Sequence, residues 1–237
     1  LSSPENAAQN YQKAVRLMDS RRDSRGLDLS LFYRGKYYTC RHQYIKAFKQ
    51  FRLCLLLRKQ AGSPAAVAEC QLELGSLLVN MGRPQEAQGY LEQALERYRK
   101  NENAPCIETV QCKLGEIKRL LGENHTARTM LEAAARSAAS RKRMATAGNS
   151  LVALGASYYD TGDFEDGDRI LNTAEGWIQS AGSRTSAEVN ALLLHSDAAY
   201  RRGDLHRAFD HAGEAVMNSI ELGNPVLLSQ SLRRKSI

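Results

Sequence analysis

The side chains able to do chemistry are few and scattered. Of the five histidines, His42, His125 and His195 stand in separate stretches. His206 and His211 are five residues apart, which puts them on different faces of a helix. No HExxH pair, Gly-rich phosphate loop or Gly-x-Ser-x-Gly elbow occurs. Asp163, Glu165 and Asp166 follow a glycine just ahead of an apolar pattern, where carboxylates favour a helix N-terminus. The five cysteines contain no Cys-x-x-Cys pair and read as reduced thiols of a cytoplasmic or nuclear protein. Asn124-His125-Thr126 matches a glycosylation acceptor by chance. These residues predict no catalytic group, no metal ligand and no cofactor. What remains is the chemistry of a surface that binds.

The elements that would build such a surface are legible from Leu74 to Ala94. Leu74, Gly75, Leu78 and Met81 share one helix face, and Ala87, Leu91, Ala94 and Leu95 share another. Gly82 suits the end of the first helix and Pro84 the first turn of the next. Small residues at Gly75, Ala87 and Ala94 let two helix backbones approach closely. The pattern recurs. The glycine slot holds Gly35, Gly75, Gly115, Gly155 and then Ser196; twelve residues on come Ala47, Ala87, Ala127, Gly167 and Ala208. The next slots hold Phe51, Leu91, Leu131, Leu171 and Ala212, then Cys54, Ala94, Ala134, Ala174 and Ala215. The turn carries Gly82, Gly122, Gly162 and Gly203, with His42 as the exception. The period is forty residues three times and forty-one once, an internal repeat of helical hairpins.

These residues resemble the tetratricopeptide repeat. Leu31, Gly35, Tyr38, Ala47, Phe51 and Cys54 match one copy of its motif; Leu151, Leu154, Gly155, Tyr158, Gly162, Asp163, Leu171 and Ala174 match another. The family unit is about thirty-four residues, and the longer period here is similar to that of kinesin light chains and of spindle-orientation adaptors of the Leu-Gly-Asn type. The resemblance implies an all-α, right-handed α-α superhelical solenoid, a general scaffold for binding other proteins.

Read this way, 1–237 forms a single solenoid. The second half of a repeat spans 4–20, and full repeats span 27–60, 66–100, 106–140, 144–180 and 186–222. A partial repeat or capping helix spans 225–237. Leu1 is no initiator, which predicts a fragment of a longer protein. No apolar run approaches the roughly 20 residues of a membrane span. The net charge of +7 and pI near 9.2 raise nucleic acid as a partner. The basic groups, such as Arg97 to Lys100 and Arg141 to Arg143, gather instead at helix ends, where each cation stabilises by about 0.3–1 kcal/mol. The repeat at 27–60 departs most from the pattern, with Phe32, Tyr33, Tyr37 and Tyr38 and a basic stripe of Lys46, Lys49 and Arg52. Trp177 reads as packing, and Ser236 follows a basophilic kinase motif.

The resemblance further implies that the first helix of each hairpin lines a concave groove. The positions it points to are Phe32 and Lys36, Leu72 and Ser76, Cys112 and Glu116, Val152 and Ala156, and Leu193 and Asp197. One turn further come Thr39, Val79, Arg119, Tyr159 and Tyr200. The groove so defined is basic at the first full repeat, apolar in the middle and acidic near the last, a pattern suited to a peptide or helix segment of another protein or of the parent chain. Tyr159 and Tyr200 are expected to be exposed there. The family's carboxylate clamp is not expected, since no Lys or Arg matches its later positions. The expectation is thus a non-enzymatic interaction scaffold or adaptor. An RNA-binding helical-repeat protein is the alternative, although no base-reading pair recurs at fixed repeat positions.

Overall fold

The computed structural model describes residues 9, 10, 12, 13, 16, 26–180, 186–222, 228, 231 and 232. The half-repeat expected at 4–20 and the stretch 225–237, with Ser236, lie almost wholly outside them. Among the described residues ten helices follow one another without a strand: α1 Leu27–Cys40, α2 Tyr44–Gln60, α3 Pro64–Asn80, α4 Pro84–Lys100, α5 Ala104–Leu120, α6 Asn124–Ser140, α7 Met144–Asp160, α8 Phe164–Ser180, α9 Ser186–Arg201 and α10 Leu205–Glu221. None is long and apolar enough to cross a membrane.

Helix ends follow local rules. Seven of the helices from α2 to α8 are 17 residues long, and the turns that part them within a hairpin reverse through one left-handed residue. That residue is Gly82 at φ 71°, Gly122 at 80°, Gly162 at 83° and Gly203 at 81°, positions where a Cβ would be strained. His42 makes the same turn at φ 55° without being glycine, and its Nδ1 is 3.0 Å from the Tyr44 hydroxyl. Between hairpins Gly62, Glu102 and Lys142 do the same at φ 66°, 50° and 58°. Pro64 and Pro84 open α3 and α4, where the missing N–H costs nothing. The Asn103 side chain accepts from the Cys106 N–H at the start of α5. These signals start α3 and α5 two residues ahead of the repeat starts at 66 and 106 that periodicity suggested.

The chain divides into two compact units, one ending at Leu121 and the other beginning at Gly122. In the N-terminal unit α1 packs on α2, α2 on α3, α3 on α4 and α4 on α5. Phe51, Leu74, Leu77, Leu78 and Leu91 are fully buried there. In the C-terminal unit α6 packs on α7, α7 on α8 and α9 on α10, while α9 also touches α7 and α8. Leu154, Leu171 and Ile178 form its interior.

Helix pairs approach at the small-residue slots. A Cβ on Gly75 would lie 2.5 Å from Leu91 Cγ, and one on Gly35 2.6 Å from the Phe51 ring. The last hairpin solves the same packing problem differently. Ala212 replaces the large residue, which makes room for Ser196, and the Ser196 hydroxyl donates to the Ala208 carbonyl at 2.8 Å. In three hairpins the residue six places after the left-handed turn position then reaches the turn of the next hairpin. Arg83 lies over the Phe48 ring at 5.7 Å, Arg128 pairs with Asp163 at 2.9 Å, and Arg202 pairs with Asp168 at 2.7 Å.

Candidate binding surface on the first helices

In the N-terminal unit the first-helix positions form a partly open row. Lys36, Thr39, Leu72, Ser76, Val79, Glu116 and Arg119 are all half-buried, whereas Phe32 and Cys112 are buried. Phe32 packs edge-on against Phe51 and carries the Arg58 guanidinium over its face at 4.4 Å. The Thr39 hydroxyl donates to the Gly35 carbonyl. Lys36 does not stand as a free basic end: it pairs with Glu73 at 2.5 Å. Glu116 accepts from Lys113 at 3.0 Å and holds the lysine pKa above its ordinary value. The row therefore alternates compensated charge with Leu72, Ser76 and Val79.

The C-terminal unit places its candidates differently. Val152 and Ala156 are buried, Leu193 is buried, Asp197 is half-buried and Tyr200 is 51% exposed. Tyr159, expected to be exposed, is 4% exposed. Its ring fills the space left by Gly167, where any Cβ would collide with it. The other hairpins carry alanine at that slot. The Tyr159 hydroxyl donates a short hydrogen bond to Asp168, and Asp168 also accepts from Arg202 at 2.7 Å. Burial pushes the Tyr159 pKa up, and the Asp168 carboxylate beside it adds to the rise. Burial acts against the Asp168 charge, but the Tyr159 and Arg202 donors outweigh it and hold that carboxyl below its usual range.

The same region joins histidines that looked isolated in the sequence. His195 lies 3.4 Å from the Tyr159 hydroxyl through Nδ1 and 3.4 Å from Glu175 through Nε2. It stacks on His211 at 5.3 Å. The signal was present in the repeat register. His195 stands in the slot of Leu74, Leu114 and Leu154, and His211 in that of Tyr90, Met130 and Ile170, so one hairpin exchanges two apolar slots for imidazoles.

The described residues form no nucleophile with an adjacent base. Cys54 and Cys70 approach to 3.1 Å but are fully buried; the hydrogen bond from Cys70 to Cys54, with burial, pushes the Cys70 thiol up and draws the Cys54 thiol down, and neither sulfur reaches the surface. Among the described residues no three His, Cys, Asp or Glu side chains converge on a metal position.

The tetratricopeptide repeat family model matches residues 28–100 and again 66–140. No curated protein sequence matches the chain. Solved structures do. NprR in complex with its cognate peptide NprX is 12% identical, with a TM-score of 0.79, over 97% of this chain and 71% of that one. Aspartyl phosphate phosphatase F from Bacillus subtilis is 18% identical, with a TM-score of 0.72, over 88% of this chain and 55% of that one. The present chain thus spans little more than half the length of that phosphatase. A Podosopora anserina putative kinesin light chain with nearly identical TPR-like repeats is 16% identical, with a TM-score of 0.61, over 81% of this chain and 94% of that one. At these identities the likeness shows the fold alone. Residues 28–140 belong to the tetratricopeptide repeat family, and the forty-residue hairpin period with its small-residue slots continues beyond them to 222.

Proposed function

We propose that this chain is a non-catalytic, cytoplasmic interaction scaffold that holds a peptide or helical segment of another protein on its first-helix faces. The observation that carries the reading is the half-open row from Lys36 to Arg119 in the N-terminal unit. Its centre is apolar, at Leu72 and Val79, and its charges are already compensated by Glu73 and Lys113. Such a face can dock a mixed segment without stranding a charge. The peptide complex of the structurally similar NprR supports the reading by fold. None of the five cysteines forms a disulfide, which fits a reducing compartment.

The test compares proteins retained by the wild-type chain with those retained by Leu72→Asp/Val79→Asp at matched melting temperature. Loss of a specific retained protein with the variant, and binding of its isolated peptide to wild type alone, support the reading. Undiminished retention refutes it. Tight, steeply salt-dependent binding of poly(U) RNA, lost on the same variant, replaces it with nucleic-acid recognition.

A further inference from the structure

The outward face of α2 carries large aliphatic side chains at three slots where α4, α6 and α8 carry none. Its slots at 45, 53 and 56 hold Ile45, Leu53 and Leu56, which are 68%, 47% and 52% exposed. In the sibling helices the first slot holds Gln85, His125, Glu165 and His206; the second holds Gln93, Ala133, Thr173 and Glu214. The third holds Glu96, Arg136, Gly176 and Met217. A surface that α4, α6 and α8 keep polar or small is thus aliphatic in α2; α10 also exposes apolar side chains, Leu205, Phe209, Met217 and Ile220, but lacks the row of unpaired cations. Exposed aliphatics gathered on one helix face mark a docking surface more often than chance scatter does.

The charges on this face narrow the occupant. α2 contains no Asp or Glu, and Lys46, Lys49 and Arg52 are exposed without an ion pair among the described residues. Lys46 rests over the Tyr38 ring and Arg52 over the Phe48 ring, at 5.7 and 5.8 Å, which leaves both charges uncompensated by carboxylate. Ile45, Lys49 and Leu53 follow at intervals of four, and Arg52 and Leu56 continue the same strip. The cations therefore stand within the apolar strip. A bilayer surface would want them on the opposite side of the helix. A single-stranded nucleic acid would want exposed rings to stack on, and this strip offers aliphatics. A second copy would set the same cations against themselves.

We infer that the α2 face docks an acidic amphipathic helix of another protein, its apolar residues seated between Ile45, Leu53 and Leu56 and its carboxylates on Lys46, Lys49 and Arg52. This is a second surface, separate from the first-helix row, and it does not depend on that row being occupied.

The probe is a labelled synthetic helix of roughly 20 residues, with Leu at helical spacing along one side and Glu flanking it. Its partner probe carries Lys in place of Glu. Fluorescence anisotropy against the intact chain is expected to show the Glu helix bound at least about tenfold more tightly than the Lys helix, with affinity falling as salt rises. Lys49→Glu and, separately, Leu53→Gln/Leu56→Gln are each expected to weaken the Glu helix about tenfold or more at unchanged melting temperature, since sibling hairpins fold with polar residues at these slots. Leu72→Asp, on the other face, is expected to leave this binding unchanged. Equal binding of the two helices, or indifference to both α2 variants, overturns the inference. So does preferential binding of phosphatidylserine vesicles or poly(U) that these variants abolish.

Discussion

Transplanting the last hairpin's solution into the second tests how the helix pairs are held together. Gly75 faces Leu91 with 2.5 Å between a virtual Cβ and Leu91 Cγ, and 3.3 Å to the Ala87 carbonyl oxygen. Gly75→Ser alone overpacks this contact, at about 1–3 kcal/mol. About 0.5 kcal/mol of that is offset because serine is a better helix former than glycine. Leu91→Ala alone removes a fully buried side chain, at about 2–5 kcal/mol. Were the sites independent, the double variant would lose about 2.5–7.5 kcal/mol. Ser196 with Ala212 shows that the pair is compatible, and the Ser196 bond to the Ala208 carbonyl has an equivalent acceptor in Ala87. The double variant should therefore recover at least about 1 kcal/mol relative to the sum. Urea titrations followed by circular dichroism on wild type, both single variants and the double variant supply the cycle. Strict additivity, or a neutral Gly75→Ser, would refute the claim that steric closeness explains the glycine.

Three further outcomes follow from the same contacts. Tyr159→Ala should lower the melting temperature, because it empties a packed site worth about 3–5 kcal/mol for a large aromatic, while Tyr200→Ala should leave it within about 0.5 kcal/mol of wild type; thermal melts of both decide it. Glu102→Gly should be neutral or stabilising by up to about 1 kcal/mol, since the residue already holds φ 50°, whereas Gly82→Ala at φ 71° should destabilise in the same denaturant assay. Asp168 titrates below its unfolded value in the folded chain. Its contribution is present above the unfolded carboxyl pKa of about 3.9 and is lost as pH falls through the folded one. Asp168→Asn should flatten the acid limb of stability below about pH 4, and an unchanged limb would place acid sensitivity elsewhere.

The hairpin array was legible because its markers are small residues in fixed slots, and close helix approach leaves few alternatives at Gly35, Gly75 and Gly155. Turn residues were legible only where they were glycine. His42, Glu102 and Lys142 adopt the same left-handed geometry, and nothing in their composition announces it. The first-helix row was legible as positions but not as exposures. Whether Tyr159 turns inward depends on one missing methyl across the turn, at Gly167. Lys36 was legible as a cation, but its neutralisation by Glu73 depends on a residue 37 positions away. The pairing of His195 with His211 required comparing substitutions within one hairpin, whereas single residues taken in turn looked isolated.

The reach of the bonds between hairpins bears on how the chain is made. The contact of the Arg201 side chain with the Tyr159 carbonyl spans 42 residues, and the ties at 48–83, 128–163 and 168–202 span fewer. A hairpin leaving the ribosome thus has these partners as soon as its successor has emerged, with no wait for a distant terminus. Short-range closure of this kind lowers the entropic barrier and lets assembly begin at any hairpin. Synthesis from the N-terminus would then set the order of folding, each pair of helices serving as the template on which the next one settles.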